Sequence, residues 1–350
     1  MKTKHYKLDK TSLDMSAIRE TAEILRHGGL VAFPTETVYG LGGIATDSEA
    51  ANKIYAAKGR PSDNPLIIHV AAPEDAERYA HTNALYYRLA KAFMPGPLTV
   101  ILPKKETVPK TVTGGLDTVA VRCPDHPIAH TLIAETGVAI AAPSANLSGS
   151  PSPTCGEHVR RDLTGRIDAI IDGGECEIGL ESTIVQIKDD GLVLLRPGAI
   201  TADALSCVCD RVEIAASITE ELGENERPLS PGMKYKHYAP TVPLVLLEGN
   251  PEDIIIFLRH AQNAEHCAIL CYHEELEQLR FERLIDIGAE KDLARQAQVL
   301  FGALRSADEL DADIIYAHLP SKDGLGLALY NRLIRAAAHT VRHIDSKDLN

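Results

Sequence analysis

Short apolar runs alternate with segments of helical spacing along most of this chain, and this alternation limits the possible folds more than any other feature. Met15–Arg26 has apolar residues at helical spacing and precedes the helix-stop pair Gly28 and Gly29. The run LVAF (30–33) then has the length and composition of a buried strand. Residues 47–58 predict a second helix, and residues 73–93 a largely helical stretch. The pattern indicates an α/β or α+β protein whose helices cover a sheet.

Further apolar runs predict the remaining strands of this part of the chain. Each run is short and rich in branched or small apolar residues, and turn residues lie near its ends. These runs are PLIIHV (65–70), PLTVIL (97–102), TVAVR (118–122), GVAIAAP (137–143), AIIDGG (169–174) and STIVQI (182–187).

A change in composition divides the chain at residues 222–242. The segment LGENERPLSPGMKYKHYAPTV is rich in Pro, Gly and charge and lacks periodicity, which predicts a linker. Strand and helix patterns restart after it and predict a smaller, Rossmann-like α/β domain over 243–350. At about 100–200 residues per domain, a chain of 350 residues accommodates two domains, of which the first spans 1–221.

The charge and cysteine content limit the partners and the compartment. A formal net charge of -13 argues against wholesale binding to nucleic acid or to an anionic membrane, although a local basic pocket stays open. Seven cysteines, an odd number, fit free thiols in a reducing compartment. The N-terminal stretch lacks a signal peptide's apolar core, and no apolar run approaches the ~18 residues of a membrane span. We therefore expect a cytoplasmic protein without membrane association.

One apparent cofactor motif does not fit its required context. Gly40-x-Gly42-x-x-Ala45 matches the letters of the dinucleotide-binding fingerprint. The stretch PTETVY separates it from the preceding strand, where the fingerprint requires a tight turn. Neither a Walker A motif nor a G-x-S-x-G nucleophile elbow occurs in the sequence.

Cys267 and Cys271, flanked by His266 and His273, have the appearance of metal ligands. The apolar run CAILCY predicts a strand, however, in which the two cysteines lie ~13 Å apart at ~3.3 Å per residue. Zn–S bonds of about 2.3 Å cannot bridge that distance. We interpret the two cysteines as core residues of a strand.

Lys58, Arg60 and Ser62 group two cations and a hydroxyl at the end of a predicted helix in an acidic chain. An ammonium, a guanidinium fork and a hydroxyl can together bind phosphate oxygens. A solvated helix C-terminus would account for the cations through the helix dipole, but not for the SDNP sequence that follows. His69 lies on the next predicted strand and is equally compatible with a core position.

Other polar blocks also follow or end predicted strands, where open α/β sheets bind ligands. PTETVYGLGG (34–43) offers two threonine hydroxyls and a glutamate, or forms a plain strand-to-helix loop. Arg122 closes an apolar strand and needs an anionic partner, which is either a substrate carboxylate or a structural Asp.

Two later blocks add hydroxyl, amide and cationic groups. APSANLSGSPSPT (142–154) carries groups suited to phosphates and nucleoside edges, or is a flexible Ser/Pro linker. GLESTIVQI and LLRPG contribute Glu181, Ser182, Thr183 and Arg196, or form a simple hairpin. The combined inventory has cations and hydroxyls but no nucleophile, metal cage or redox group. It favours an enzyme that positions an anionic nucleophile against ATP.

In their order along the chain, these blocks resemble the YrdC-type threonylcarbamoyl-AMP synthases. The sequences that carry the resemblance are FPTETVYGLG, KGRPSDNPL, PGPLT, VAVRCPDHP, APSANLSG and LESTIV. The linker sequence SPGMKYKHYAP and the second α/β domain match the long, two-domain form. The resemblance implies a twisted, open, mixed α/β sheet with a large concave cavity, followed by the smaller Rossmann-like domain.

The reaction implied by the resemblance joins L-threonine, bicarbonate or carbon dioxide, and ATP into threonylcarbamoyl-AMP with release of pyrophosphate. Mg²⁺ would travel with ATP. A separate transferase complex would then pass the threonylcarbamoyl group to an adenosine beside the tRNA anticodon. Strong direct binding of nucleic acid is not expected of this chain.

The resemblance also assigns roles to individual residues. L-threonine would be held by Thr35, His69, Arg122 and Ser182, with Arg122 taking its carboxylate. Lys58 and Arg60 would be catalytic. ATP or the adenylate would be held by Lys58, Arg60, Ser62, Thr118, Ala142, Ser144, Asn146, Ser152, Arg196, Tyr235 and His237. The last two belong to the linker, which would close over the site as a lid.

Three alternatives remain beside this interpretation. YrdC-like domains have been discussed as binders of structured RNA, which the negative net charge disfavours. A similar domain occurs in hydrogenase-maturation carbamoyltransferases, whose acylphosphatase-like and zinc-finger parts this chain lacks. Residues 243–350 show no catalytic constellation and could serve a regulatory or structural role.

Overall fold

The computed structural model describes residues 2–220 and 238–345, which divide into two compact units. The first unit comprises residues 2–148 and 152–220, and the second comprises residues 149–151 and 238–345. Most of the predicted linker at 222–242, including Tyr235 and His237, lies outside the described residues. The linker's boundaries and its function as a lid therefore stay predictions.

An eleven-stranded mixed sheet forms the centre of the first unit. Its strands are β1 (Lys4–Lys7), β2 (Val31–Phe33), β3 (Gly40–Ile44), β4 (Ile67–His69), β5 (Leu98–Pro103), β6 (Thr118–Arg122), β7 (Ile140–Ala141), β8 (Ala169–Asp172), β9 (Thr183–Lys188), β10 (Gly191–Arg196) and β11 (Val212–Ile214). They lie in the order β1-β8-β2-β3-β7-β4-β6-β5-β9-β10-β11. Parallel and antiparallel neighbours both occur, which confirms the predicted mixed sheet.

Helices cover this sheet and provide its core. They are α1 (Met15–Arg26), α2 (Ser48–Lys58), α3 (Ala84–Phe93), α4 (Pro127–Thr136), α5 (Gly156–Leu163) and α6 (Ala202–Ser206). The Asp14 carboxylate caps α1 by accepting from the Ser16 and Ala17 amides. The apolar faces of α1 and α4 then pack with β2 and β8 in one buried cluster. Only the end of the predicted 73–93 helix is α-helical, because Pro73–Arg78 forms a 3₁₀-helix.

The second unit contains a five-stranded, fully parallel sheet. Its elements are β12 (Leu244–Gly249), α7 (Pro251–Ala264), β13 (Cys267–Cys271), α8 (Leu276–Leu279), β14 (Leu284–Asp286), α9 (Leu293–Ala307), β15 (Ile314–His318), α10 (Gly326–Ala336) and β16 (Val341–Ile344). The second α/β domain is therefore confirmed. Its order β14-β13-β15-β12-β16 exchanges two central strands relative to the dinucleotide-binding order. None of the helices in the described part of the chain is long and apolar enough to cross a membrane.

The carboxyl ends of β12, β13 and β15 line a cavity of about 970 Å³ in the second unit. Apart from histidines, the charged residues of its lining are five glutamates and one lysine: Glu248, Glu252, Glu274, Glu275, Glu290 and Lys322. The cationic blocks singled out in the sequence instead belong to the first unit. The charge of this cavity therefore does not favour an anionic ligand.

The cysteine motif and the glycine motif noted in the sequence both lie within strands. Cys267 and Cys271 are buried on β13 in one apolar cluster with Ile269, in agreement with the core interpretation. Across residues 2–220 and 238–345, no three His, Cys, Asp or Glu side chains are grouped to hold a metal ion. Gly40 and Gly42 lie within β3 instead of opening a helix, so they do not form a dinucleotide-binding turn.

Candidate active site

His69, Arg122 and Thr99 form a row across the middle of the first sheet. His69 on β4 pairs in parallel register with Arg122 on β6, which pairs with Thr99 on the antiparallel strand β5. Side chains of paired residues project from the same face of a sheet. All three side chains are buried. Strand register alone therefore brings together two residues predicted to bind threonine, and it adds Thr99, which the sequence analysis missed.

An apolar row borders this polar row on the same face. On each strand, one apolar residue lies two positions from the polar one: Ile67 on β4, Ala120 on β6 and Ile101 on β5. These three residues pair with one another in the same register as the polar row. They belong to a single buried cluster with Ile184 and Leu195. The polar row is thus held in place by apolar packing at one side.

Ser182 links the polar row to Arg196. The hydroxyls of Ser182 and Thr99 lie 2.7 Å apart in a buried hydrogen bond. Arg196 donates from Nη2 to the Ser182 hydroxyl at 3.0 Å and from Nε to the Ser182 carbonyl at 2.9 Å. β9 and β10 do form a hairpin, but Ser182 and Arg196 lie buried at its open end.

Residues 34–39 connect the antiparallel strands β2 and β3, which contradicts the alternative of a plain strand-to-helix loop. Thr35 is buried within this connection. Its hydroxyl donates to the Val38 carbonyl at 2.6 Å and accepts from the Thr37 amide at 3.2 Å. These bonds shape a tight turn that directs the next side chain, Glu36, toward Arg122.

Glu36 Oε1 lies 2.7 Å from Arg122 Nη2, and both side chains are only 5% exposed. The acidic group that faces this arginine within the protein is therefore a glutamate, where the sequence suggested an aspartate. The two atoms are close, but their alignment is not that of a hydrogen bond. Within the described residues, neither carboxylate oxygen of Glu36 has a hydrogen-bond donor, and Arg122 Nε and Nη2 have no acceptor.

Two buried histidines with incomplete hydrogen bonding lie near this pair. Nδ1 of His69 and Nδ1 of His126 have no partner among the residues that the structure describes. Burial, with a further contribution from Arg122, lowers the pKa of His69 to about 3. Burial also lowers the pKa of His126. Each imidazole is therefore neutral near neutral pH and can donate or accept one hydrogen bond.

Lys58 ends α2 and ties it to the 142–148 loop. Gly59 follows in the left-handed conformation, which ends the helix. The buried Lys58 ammonium donates to the carbonyls of Ser144 and Asn146, at 2.5 Å each, and to Asn146 Oδ1 at 3.3 Å. A solvated helix terminus is therefore the wrong interpretation of Lys58.

The SDNP sequence gives Arg60 its partners. Arg60 is buried, and it donates from Nε to the Asn64 carbonyl at 3.3 Å and from Nη2 to the Pro65 carbonyl at 3.1 Å. Ser62, at the tip of the same loop, is exposed. Thr118 begins β6 and is half-buried.

The 142–154 block is ordered by its own side chains. Ala142 donates its amide to the Ile67 carbonyl at 2.9 Å, which joins the block to β4. Ser144 donates to Asn146 Oδ1 at 2.6 Å, and buried Ser152 donates to Glu181 at 2.5 Å. These bonds contradict the alternative of a flexible linker. The structure thus brings Lys58, Ser144 and Asn146 into one hydrogen-bonded cluster.

Each of the two units is matched by a profile of a known protein family. A Sua5/YciO/YrdC family profile, described as "Telomere recombination", matches residues 23–198. A profile described as "Threonylcarbamoyl-AMP synthase, C-terminal domain" matches residues 200–338. The chain is 45% identical over 357 residues to the threonylcarbamoyl-AMP synthase of Bacillus subtilis, covering 97% of this chain and 99% of that protein.

Relatives from Pyrococcus abyssi extend the comparison to structure. The threonylcarbamoyl-AMP synthase of that organism is 43% identical over 334 residues, covering 93% of this chain and 95% of that protein. A crystal structure of P. abyssi Sua5 complexed with L-threonine matches with a TM-score of 0.89 at 40% identity, covering 98% of this chain and 100% of that one. The fold and site thus define an α/β enzyme of the nucleotidyltransferase type. The chain belongs to the Sua5/YrdC family of threonylcarbamoyl-AMP synthases, in its two-domain form.

Proposed function

We propose that the first unit condenses L-threonine, bicarbonate or carbon dioxide, and ATP into threonylcarbamoyl-AMP and pyrophosphate. The observation that carries this proposal is the buried row of His69, Arg122 and Thr99, in which Arg122 has unfilled donors. A buried guanidinium of this kind suits the carboxylate of an amino acid. Family membership supplies the identity of that amino acid.

In this proposal L-threonine lies on the polar row. Arg122 binds its carboxylate, while His69, Thr35 and Ser182 contact its remaining polar groups. The neutral imidazole of His69 suits a hydroxyl, because its free Nδ1 can donate or accept without adding charge. The link from Ser182 to Arg196 then connects the threonine site to the nucleotide site.

ATP lies along the loops that leave the neighbouring strands. Its proposed contacts are Lys58, Arg60, Ser62, Thr118, Ala142, Ser144, Asn146, Ser152 and Arg196. β7 pairs with β4 beside His69, so the 142–146 segment starts next to the threonine site. The hydrogen bonds from Lys58 hold this segment before ATP arrives, which reduces the ordering needed on binding. Lys58 and Arg60 would also stabilise negative charge on the phosphates during the reaction.

The chemistry requires mainly placement and charge stabilisation. A carbamate oxygen formed on threonine attacks the α-phosphorus of ATP, and pyrophosphate leaves. Mg²⁺ would accompany ATP, bound mostly by phosphate oxygens and water. The 222–242 segment, with Tyr235 and His237, would close as a lid and exclude water, because the mixed anhydride product hydrolyses readily.

The product would pass to a separate transferase complex that modifies an adenosine beside the tRNA anticodon. We also propose that the enzyme works in the cytoplasm. The odd number of cysteines, seven, supports this proposal, because it fits a reducing compartment.

The first experiment incubates the purified chain with ATP, Mg²⁺ and bicarbonate, with and without L-threonine. We expect pyrophosphate only when threonine is present, together with the mass of threonylcarbamoyl-AMP. Pyrophosphate without threonine, or an adduct of a different mass, would contradict the proposed reaction. Salt-sensitive RNA binding without any ATP turnover would favour the RNA-binding alternative.

A further inference from the structure

We propose that Glu36 binds the α-ammonium group of L-threonine and accepts the proton that this group loses before it reacts with carbon dioxide. The inference rests on the proposed function and extends it by a residue that the sequence analysis did not assign. Its basis is that buried side-chain atoms of both Glu36 and Arg122 lack hydrogen-bond partners among the described residues.

Glu36 and Arg122 neutralise each other's charge but leave each other's hydrogen-bonding capacity unused. Their nearest charged atoms are 2.7 Å apart, and both side chains are buried. No donor among the described residues satisfies either carboxylate oxygen of Glu36, and no acceptor there satisfies Nε or Nη2 of Arg122. Buried charged groups are nearly always hydrogen-bonded, because an unsatisfied one costs about 1–3 kcal/mol or more. The unsatisfied atoms therefore mark where a polar ligand binds.

The chemistry of these unsatisfied atoms specifies the ligand. Glu36 offers acceptors, Arg122 offers donors, and the two lie side by side. An α-amino acid carries a donor, the ammonium, and an acceptor, the carboxylate, on the same carbon atom. Such a zwitterion satisfies both side chains at once and adds no net charge to a buried site. A ligand with a carboxylate alone would satisfy Arg122 but leave Glu36 without a donor.

The reaction also requires the ammonium to lose protons. One N–H bond breaks, its proton moves to a Glu36 carboxylate oxygen, and the nitrogen keeps the electron pair. That pair forms the N–C bond to carbon dioxide, and one C=O bond becomes the carbamate C–O⁻. The second proton leaves the nitrogen to bicarbonate, which the reaction mixture contains. Glu36 is then neutral and no longer repels the new carbamate anion.

The test compares the binding of two ligands by calorimetry, L-threonine and (R)-3-hydroxybutanoate, which lacks only the amino group. Glu36→Gln should weaken threonine binding by about 10–100-fold, the equivalent of one charged hydrogen bond. Binding of (R)-3-hydroxybutanoate should not weaken, because the substitution removes a buried negative charge beside Arg122, so the variant loses its preference for the amino acid. The exposed Glu106→Gln is the matched control and should behave as wild type.

Equal weakening of both ligands in Glu36→Gln would overturn the proposal, because it would mean that Glu36 only holds Arg122 in place. Unchanged threonine binding would overturn it as well. If Glu36→Gln does not fold, Glu36→Asp keeps the charge at a shorter reach and should reduce the preference for threonine. A wild-type preference in Glu36→Asp would then contradict ammonium binding.

Proton acceptance is tested separately by turnover. At saturating threonine, Glu36→Gln should lower kcat by about 10²–10⁴-fold, the usual contribution of a general base. A change in threonine KM with kcat retained would leave Glu36 as a binding residue only and would refute its role as base. If the wild-type chain makes no pyrophosphate, the proposed function fails, whereas the binding comparison still tests the ammonium contact.

Discussion

His69 and Arg122 are register partners on the neighbouring parallel strands β4 and β6, and their side chains share one face of the sheet. Arg122 adds to the effect of burial in lowering the pKa of His69, so a permanent cation stands beside a neutral imidazole. One site thus offers a group for an anion and a group for a neutral hydroxyl.

Replacing Arg122 by lysine should raise the KM for L-threonine by about tenfold and leave the KM for ATP unchanged. Lysine keeps the charge opposite Glu36 but loses the guanidinium fork that suits a carboxylate. Alanine is the poorer choice, because it would leave Glu36 buried and unpaired at a cost of about 3–5 kcal/mol. Pyrophosphate release, measured while each substrate is varied in turn, checks this prediction. Equal effects on both substrates would refute the carboxylate role, and Arg88→Lys on the exposed side of α3 serves as control.

Lys58→Ala should mainly impair the use of ATP. The substitution removes a cation from the proposed phosphate site and leaves the Ser144 and Asn146 carbonyls without their donor. We expect the KM for ATP to rise by about 10–100-fold and the free energy of unfolding to fall by about 1–3 kcal/mol. Steady-state kinetics and urea denaturation measure the two effects. Unchanged ATP kinetics would count against the phosphate assignment, and the exposed Lys91→Ala should change neither quantity.

Acidification should destabilise the first unit through His69. The pKa of His69 is about 3 in the folded chain, against an ordinary value of 6.5. Between these values the unfolded state binds a proton that the folded state does not. The stability that comes from keeping His69 neutral is therefore fully present above its ordinary pKa of 6.5. It is lost as the pH falls toward the folded-state pKa of about 3.

His69→Asn should remove this source of acid sensitivity. The slope of unfolding free energy against pH should become shallower by at most about 1.4 kcal/mol per pH unit. Urea denaturation at several pH values between about 7 and 5 covers part of the window. The exposed His81→Asn should retain the wild-type slope. Identical slopes in the two variants would contradict the depressed pKa.

Gly42→Ala should destabilise the sheet by about 1–3 kcal/mol through overpacking. A Cβ at this position would lie 2.7 Å from Ile140 Cγ2 and 2.9 Å from Phe33 Cε1. Gly43→Ala is the matched control, because its closest contacts would be 3.2 Å and need only small adjustments. Thermal denaturation of the two variants compares the effects. Equal stabilities would show that β3 shifts to accommodate the methyl group.

The elements that the sequence predicted well have strong periodicity or strong apolar character. The helix predicted at Met15–Arg26 has the observed bounds, since its amphipathic pattern and its glycine stop agree. β1 and β16 were missed because their sequences, KHYK and VRHI, contain no apolar run. The glycine-rich β3 was missed for a related reason, because glycine gives little strand signal.

Only the part of the candidate site that lies in short polar blocks could be predicted from the sequence. Cations and hydroxyls grouped within short blocks, such as Lys58 and Ser144, could be recognised from the sequence. Thr99 could not, because a single threonine in an apolar strand becomes informative only when its register with Arg122 is known. Glu36 was noticed as part of its block, but its pairing with Arg122 depends on tertiary structure.

The row of His69, Arg122 and Thr99 makes the site depend on the parity of strand positions. Inserting one residue within β6, ahead of Arg122, would turn that side chain to the opposite face of the sheet, whereas inserting two would restore its direction. The connections between β4, β5 and β6 carry no such constraint, because their lengths do not alter the pairing of the strands. Insertions and deletions are therefore expected in these connections, whereas each strand should keep the same number of residues.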